Sequence, residues 1–265
     1  MYFKVCISGL TAVGKTSLAQ EIVRRYKAEY LSAPEVLLQI AKMRLDVGED
    51  AGKAPHFWLS EEGKAFFKQR EKSSELDKEV DNGLLDAVEK PHRSVIDSLS
   101  VPLLLPAKNQ AFSVLLQANL TQRTERAWLS SPTMSRRNLR NEVQTKDRKT
   151  KDILQSLWGF DITKPSLDRY DLVIWDARLA EMVRAKSYGK QQQEIKTKLQ
   201  ILFSFLDIYD QMVQPTVSRK KLGALTAQCR KVYAQYHPII RKYPRQFLSL
   251  PELDQLDWEK RNLTD

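Results

Sequence analysis

The segment SGLTAVGKTS at positions 8–17 most constrains how this 265-residue chain can fold. Gly9, Gly14, Lys15 and Thr16 fit the pattern G-x-x-x-x-G-K-[ST] without a mismatch. Glycines at this spacing let a loop turn tightly, so that successive backbone N–H groups point at phosphate oxygens. The positive N-terminal end of the following helix adds to the attraction. The segment therefore predicts a strand, a phosphate-binding loop and a helix in succession.

The residue types in the loop indicate a nucleoside-triphosphate site. We expect the Lys15 ammonium to reach the β- and γ-phosphates and the Thr16 hydroxyl to bind Mg²⁺. A plain strand–turn–helix corner is the alternative, but an apolar strand pattern precedes the motif and a helical pattern follows it. The residues predicted to bind the nucleotide are Gly9, Leu10, Thr11, Ala12, Val13, Gly14, Lys15, Thr16 and Ser17.

Five short apolar segments have the length and composition of strands. Helical patterns lie between them, and this alternation predicts an α/β fold with a five-stranded parallel sheet covered by helices on both faces. Beyond about residue 185 the strand pattern stops and two helical segments follow, which predicts an all-α C-terminal extension over residues 186–265. The predicted strands are residues 2–8, 29–31, 94–97, 112–118 and 171–175.

Asp97 ends the third predicted strand, in the segment RSVIDS. In a parallel sheet this strand end would lie beside the phosphate loop. An aspartate there can hold the shell of a magnesium ion or orient an attacking oxygen, whereas a cap on the strand end is the structural alternative. The sequence thus makes Asp97 a candidate for metal binding and for catalysis.

The formal net charge of +10 suits a protein that handles anions such as nucleotides or nucleic acid, or a generally basic surface with no dedicated partner. Residues 218–245 contain eight Lys or Arg and no Asp or Glu. This C-terminal segment is a candidate site for nucleic acid or another polyanion, or a solvated helix face. Two cysteines and the absence of a long apolar run predict a cytoplasmic protein with no membrane partner.

Four segments of the chain carry a resemblance to a known family: ISGLTAVGKTSLAQEI, YLSAPEVLLQIAK, LLQANLTQRTERAW and VQTKDRKTKDILQSLWGFDITKPSLDRYDLVIWD. They resemble the nucleoside monophosphate kinases, most closely the cytidylate kinase-like group. The resemblance covers about residues 1–185, predicted as a P-loop kinase domain that carries a helical acceptor-binding insert at 36–92 and an Arg-rich lid at 123–158. The fourth predicted strand and the residues after it lack the N-K-x-D motif with which a GTPase binds the nucleotide base.

The resemblance implies that ATP and Mg²⁺ are used to move a γ-phosphoryl group to a nucleoside monophosphate, with a pyrimidine favoured, or to a related small acceptor. Thr16 and Asp97 would hold the metal. The implied catalytic residues are Lys15, Asp97, Arg123, Arg126 and Arg148. The implied acceptor-binding residues are Ser32, Glu35, Asp97, Ser98, Asp147 and Lys151.

The chain departs from the family pattern at Pro34, where the family has Gly, and at two positions where the family has Arg. The acceptor segment of the family ends in an Arg where this chain has Leu38. After the third strand the family has E-G-R, where this chain has Asp97, Ser98 and Leu99. Three interpretations are open: a different acceptor, compensating cations such as Arg44 or Arg70, or loss of kinase activity. In the last case the chain would be an ATP-binding switch or scaffold that engages a nucleic acid or a protein through its basic C-terminal helices.

Overall fold

The computed structural model describes residues 2–45, 75–105, 111–130, 132–176, 190–213 and 219–244. The strands are β1 Lys4–Ser8, β2 Glu29–Ser32, β3 Ser94–Asp97, β4 Phe112–Gln117, β5 Leu172–Trp175 and β6 Ile240–Lys242. The α-helices are α1 Lys15–Tyr26, α2 Ala33–Leu45, α3 Glu75–Glu89, α4 Val101–Leu104, α5 Leu120–Ser130, α6 Arg136–Trp158, α7 Lys190–Met212 and α8 Arg219–Tyr236.

The strands form one sheet in the order β2-β3-β1-β4-β5-β6. The neighbours from β2 to β5 are parallel, which confirms the α/β fold and all five predicted strands. The predicted count of five and the all-α extension were wrong, because Ile240–Lys242 adds an antiparallel sixth strand beside β5. Three residues are too few to show a period in the sequence. They form a strand because the edge of β5 offers backbone groups that need partners.

Alternating side chains cover both faces of the sheet. Val5 and Ile7 of β1 join one apolar cluster, whereas Cys6 between them joins a second cluster on the opposite face. The first cluster includes side chains of α1, α7 and α8, and the second includes side chains of α2 and α3. Burial on both faces explains why the strands are nearly continuous apolar runs rather than alternating ones.

The C-terminal extension supplies a large part of the first cluster. Phe205 of α7 is fully buried there, and the Tyr209 ring lies 5.6 Å from the Phe3 ring. At the edge of this contact, Asp207 forms a 2.7 Å ion pair with Arg25. The extension and the N-terminal strands therefore share one core. The division of the chain near residue 185 into a kinase domain and an extension stays a prediction.

The basic residues of the extension have two kinds of environment. Lys220 and Lys231 are exposed on α8, whereas the Arg241 guanidinium lies over the Trp175 ring and Lys242 donates to the Leu167 carbonyl at 2.7 Å. Part of the basic character is thus used in packing, and binding of nucleic acid stays a prediction. Within the ranges the structure describes, no helix is both long and apolar enough to cross a bilayer.

Candidate active site

The phosphate loop leaves β1 in a conformation that requires glycine at two positions. Gly9 has φ 147° and Gly14 has φ 98°. A Cβ at Gly9 would lie 2.4 Å from the Leu116 carbonyl oxygen and 2.8 Å from Cγ1 of Val13, so no side chain fits there. At Gly14 there is space for a Cβ, but the positive φ is strained for other residues. Glycine is therefore required at position 9 by the lack of space and at position 14 by the backbone conformation.

Lys15 opens α1 with its side chain folded along the inside of the loop. Its Nζ donates to the carbonyl oxygens of Gly9 at 2.6 Å and Leu10 at 3.3 Å. Burial lowers the pKa of the Lys15 ammonium, and the nearby carboxylates of Asp97 and Asp147 oppose that shift. The loop thus holds a cation in a partly dehydrated position, where its attraction for a phosphate is strengthened.

Asp97 lies at the carboxyl end of β3, opposite Ser32 of β2 in the register. Its Oδ2 accepts hydrogen bonds from the Thr16 hydroxyl at 2.9 Å and the Tyr30 hydroxyl at 3.2 Å. Burial, together with the charge of Asp97, raises the pKa of Tyr30 to about 12, so the phenol stays a donor at neutral pH. A carboxylate beside a hydroxyl is the oxygen donor set that Mg²⁺ prefers. These two side chains therefore fit the predicted metal site.

Helices α5 and α6, which contain most of the predicted lid region, are joined at the phosphate loop by a buried ion pair. Nη1 of Arg123, on α5, lies 2.5 Å from Oδ2 of Asp147, on α6. The same Nη1 donates to the Thr11 carbonyl at 3.0 Å, and Oδ1 of Asp147 accepts from the Thr11 backbone N–H at 3.0 Å. Both residues, which the resemblance assigned to catalysis and to acceptor binding, here clamp the tip of the loop.

A second ionic group lies on the outer side of the loop, and sequence reasoning missed most of it. Arg126 pairs with Asp176 at 2.7 Å and with Glu194 at 3.4 Å, and it donates to the Val13 carbonyl at 3.4 Å. Lys198 of α7 pairs with Asp176 at 2.5 Å. Asp176 directly follows β5 and is only 1% exposed. A buried aspartate at the end of an apolar strand was the signal that could have identified it.

A cavity of about 720 Å³ lies beside Lys15 and Thr16. It is open to solvent and is lined by residues of α1, α2, α3, the segment after β3 and α6. Four of the acceptor-binding residues that the resemblance implied line it, namely Ser32, Glu35, Asp97 and Ser98. The Glu35 carboxylate accepts from the Ser32 hydroxyl at 2.9 Å, which fixes the side chain at the start of α2.

The remaining lid candidates lie elsewhere. Arg148 and Lys151 line a separate, open cavity with Asp147, on the other side of α6. Arg148 is exposed, and Lys151 pairs with Asp161 at 3.0 Å. The hydrogen bonds of Asp161 to Thr163 and Lys151 lower the pKa of the Asp161 carboxyl to about 2. Lys146, which also falls in the predicted lid region 123–158, is exposed next to the outer side of the phosphate loop.

The two positions where the family has Arg have different surroundings. Leu38 is buried in the apolar cluster between α2 and α3, whereas Leu99 lines the cavity as part of its apolar wall. Arg44 forms an exposed ion pair with Glu79 and is not among the residues that line the cavity in the described part of the chain. Arg70, the other suggested compensating cation, lies outside the described residues.

The sequence interpretation also missed two aspartates of α3. Asp77 and Asp81 line the cavity and are 8% and 6% exposed. Asp81 accepts from the Trp158 indole N–H at 2.7 Å and from the Ser100 hydroxyl, so it connects α3 with the end of the lid helix. Their spacing of four places both on one helix face. That spacing, on an otherwise apolar face, was the available signal.

Comparisons with known proteins agree with this architecture. The family model for the cytidylate kinase-like family matches residues 4–177. The crystal structure of an uncharacterized protein from Eubacterium ventriosum ATCC 27560 matches with a TM-score of 0.52 and 12% identity, over 77% of this chain and 98% of that one. At this identity the likeness supports the fold alone.

Two kinases are among the other structures that match. A shikimate kinase from Bacteroides thetaiotaomicron has a TM-score of 0.43 and 14% identity, over 77% of this chain and 98% of that one. A gluconokinase from Sinorhizobium meliloti 1021 has a TM-score of 0.39 and 12% identity, over 76% and 95%. These scores are too low to support an inference about the site. The search of the curated proteins found no match.

Proposed function

The chain belongs to the cytidylate kinase-like family, and we propose that it transfers the γ-phosphoryl group of ATP to a small acceptor. One observation carries this proposal: Lys15 and Thr16 of the phosphate loop line the same 720 Å³ cavity as Ser32 and Glu35. A phosphoryl group bound to the loop would therefore adjoin an acceptor oxygen in the cavity. Holding the two reacting groups next to each other supplies a large part of the rate enhancement of an enzyme.

The transfer would proceed in line, without a covalent enzyme intermediate. The acceptor oxygen forms a bond to the γ-phosphorus, and the bond from that phosphorus to the β-phosphate oxygen breaks, so that ADP leaves with the electron pair. The proton of an acceptor hydroxyl passes to the Asp97 carboxylate. Lys15 offsets the charge on the phosphoryl oxygens. Thr16 and Asp97 would hold Mg²⁺, which when bound offsets charge on the β- and γ-phosphates.

The lid helix α6 supplies the means to exclude water from this step. Thr150, Ile153 and Leu154 of α6 line the cavity opposite α2 and α3. The Trp158–Asp81 hydrogen bond ties the end of α6 to α3 at 2.7 Å. With water excluded, transfer to the acceptor is favoured over hydrolysis of ATP.

The experiment that tests the proposal measures ADP release from ATP and Mg²⁺ with a panel of nucleoside monophosphates, nucleosides, sugars and amino alcohols. Lys15→Ala should lower acceptor-stimulated turnover on the order of a hundredfold or more, because a preorganised charge contact is lost. Arg24→Ala, which removes an exposed cation from the same helix, is the matched control. Undiminished turnover in Lys15→Ala would contradict the proposal.

The resemblance favours a nucleoside monophosphate as the acceptor, with a pyrimidine preferred, and a related hydroxyl compound is the second possibility. The same panel also detects the alternative function. An ATP-dependent switch would bind ATP with little turnover, and its affinity for a partner would depend on the nucleotide. If that partner were a nucleic acid bound by the basic extension, its affinity should fall steeply with salt concentration.

A further inference from the structure

Helix α5 contacts the phosphate loop through two arginines that lie three residues apart, on one face of the helix. Arg123 donates to the Thr11 carbonyl at 3.0 Å. Arg126 donates to the Val13 carbonyl at 3.4 Å. We propose that both arginines are positioning residues, which turn these carbonyls outward and so direct loop N–H groups at the phosphates of the donor, and that the C-terminal extension holds Arg126 in place. This inference rests on the proposed function, since it concerns the donor side of the same transfer.

The two contacts fix the direction of two loop N–H groups, because a trans peptide unit is planar. In such a unit the C=O and the following N–H point in opposite directions. No peptide bond in the described ranges is cis. Since the Thr11 carbonyl faces α5, the N–H of Ala12 points away from this helix. For the same reason, the N–H of Gly14 points away from the guanidinium that binds the Val13 carbonyl.

The backbone of the loop has the conformation of an anion-binding turn. Ala12 has φ 61° and Gly14 has φ 98°, so left-handed residues occur at alternate positions. Successive N–H groups of a turn that contains left-handed residues form a concavity that binds anions. At Ala12 this conformation is strained, because its Cβ comes too close to the backbone. Such strain persists only where the surroundings impose it, and the arginine contacts hold the residues on either side of Ala12.

The extension holds Arg126 against the loop. The guanidinium lies 2.7 Å from Asp176, which follows β5, and 3.4 Å from Glu194 of α7. Lys198, one turn further along α7, pairs with Asp176 at 2.5 Å. Both α7 residues lie beyond residues 4–177, the segment that the family model matches. Part of the structure that shapes the loop is therefore supplied by the extension.

The charges of this group favour orientation over attraction as the role of Arg126. Its two cations, Arg126 and Lys198, face two carboxylates, those of Asp176 and Glu194, so the formal charges cancel. A balanced group exerts little net force on a phosphate. Neither arginine of α5 is among the described residues that line the 720 Å³ cavity. A planar guanidinium with five donors can bind both carboxylates and the loop carbonyl at once.

Binding of ADP with Mg²⁺ to the full chain tests the inference, because ADP lacks the phosphoryl group that is transferred. Arg126→Lys keeps the positive charge beside Asp176 but loses the planar fork that reaches the loop carbonyl. We expect the Kd for ADP and the Kd for ATP to rise by the same factor, about three- to tenfold, the effect of losing one hydrogen bond. Calorimetry measures both constants. Arg140→Lys, at an exposed position of α6, is the control and should bind as the natural chain does.

Three results would overturn the inference. If both affinities are unchanged and only the midpoint of urea unfolding falls, Arg126 has a purely structural role. If the ADP affinity is unchanged while the ATP affinity or the kcat falls, Arg126 contacts the transferred phosphoryl group. If ADP does not bind to the natural chain, the loop has no phosphate to receive, and the donor site of the proposed function fails as well.

A variant of α7 isolates the contribution of the extension. Glu194→Asp keeps the charge but shortens the side chain by one methylene, so the carboxylate no longer reaches Arg126. We expect the Kd for ADP to rise by about two- to threefold, since Asp176 still holds the guanidinium. Glu125→Asp, which makes the same change at a half-exposed partner of Arg136, is the matched control. An unchanged ADP affinity in Glu194→Asp would refute the contribution of α7.

Turnover separates failure of this inference from failure of the proposed function. If ADP binding responds to Arg126→Lys but no acceptor stimulates ADP release, the loop is held as inferred while phosphoryl transfer is refuted. If an acceptor stimulates ADP release and ADP binding is insensitive to Arg126→Lys, the chain is a phosphotransferase and the inference is wrong.

Discussion

Arg123 and Asp147 form a buried ion pair of 2.5 Å whose two members also hydrogen-bond the C=O and N–H of Thr11. Their side chains are only 7% and 11% exposed. The carboxylate therefore engages a backbone N–H of the loop that the sequence assigns to phosphate binding. The loop is coupled to α5 and α6 through this contact, because a change at Thr11 must alter the environment of a side chain from each helix.

Asp147→Asn should bind ATP more tightly, because it removes a negative charge next to the phosphate loop. We expect the Kd for ATP to fall by about three- to tenfold, the effect of roughly 1 kcal/mol. The free energy of unfolding should fall by about 3 kcal/mol, because Arg123 stays buried without its ion-pair partner. Calorimetry and urea unfolding measure the two effects. Asp152→Asn, exposed on the same helix, is the control, and weaker ATP binding by Asp147→Asn would contradict the prediction.

Lys198→Met should destabilise the fold, because it leaves the nearly inaccessible Asp176 without one of its cations. Burial lowers the pKa of Lys198, and the charge of Asp176 acts in the opposite direction. We expect the free energy of unfolding to decrease by about 3 kcal/mol, as for removing one partner of a buried pair. Urea denaturation measures it, with Lys196→Met, an exposed lysine of the same helix, as the control. Equal stability of the two variants would show that Asp176 is satisfied without Lys198.

Phe205→Ala tests whether the extension is part of the core of the sheet. Phe205 is fully buried between α7 and the strands. Its truncation should lower the free energy of unfolding by about 3–5 kcal/mol. A single urea transition at a lower midpoint is expected. Met212→Ala, exposed on the same helix, should cost less than about 0.5 kcal/mol. If the two variants have similar midpoints, α7 does not support the sheet in solution.

The two cysteines should be unreactive in the folded protein. Burial raises the pKa of both the Cys6 and the Cys229 thiols to about 12. Because the thiolate is the nucleophile, iodoacetamide at pH 8 should modify neither in the native state and both in denaturant, as seen by mass spectrometry. Rapid alkylation of the native chain would contradict the burial of these side chains.

The same pKa shift has a consequence for stability at high pH. An unfolded thiol ionises near pH 8.5, whereas the folded thiols keep their protons up to about pH 12. Between these values only the unfolded state loses the protons, so the free energy of unfolding should fall as pH rises. Cys6→Ala should reduce this dependence, which urea titrations at pH 8 and pH 10 would measure. An unchanged slope would refute the contribution of Cys6.

The strands were predictable where burial on two faces makes the sequence continuously apolar, as in Leu172–Trp175. They were not predictable at β6, where Ile240–Lys242 is paired only because β5 offers an edge. Similarly, the residue types at Arg126 suggested contact with phosphate, but the structure pairs it with Asp176 and Glu194. The sequence can mark Asp176 as an unusual residue at a strand end, but which cations pair with it depends on the fold.

The sequence by itself determined the phosphate loop, because Gly9, Gly14, Lys15 and Thr16 act through the backbone of one short segment. Local geometry suffices for that function. Only the tertiary structure decided which side chains line the cavity beside Lys15, because Glu35 and Asp77 lie on separate helices and are far apart in the chain. Packing of the helices brings these distant segments together, so the lining of the cavity is a property of the fold.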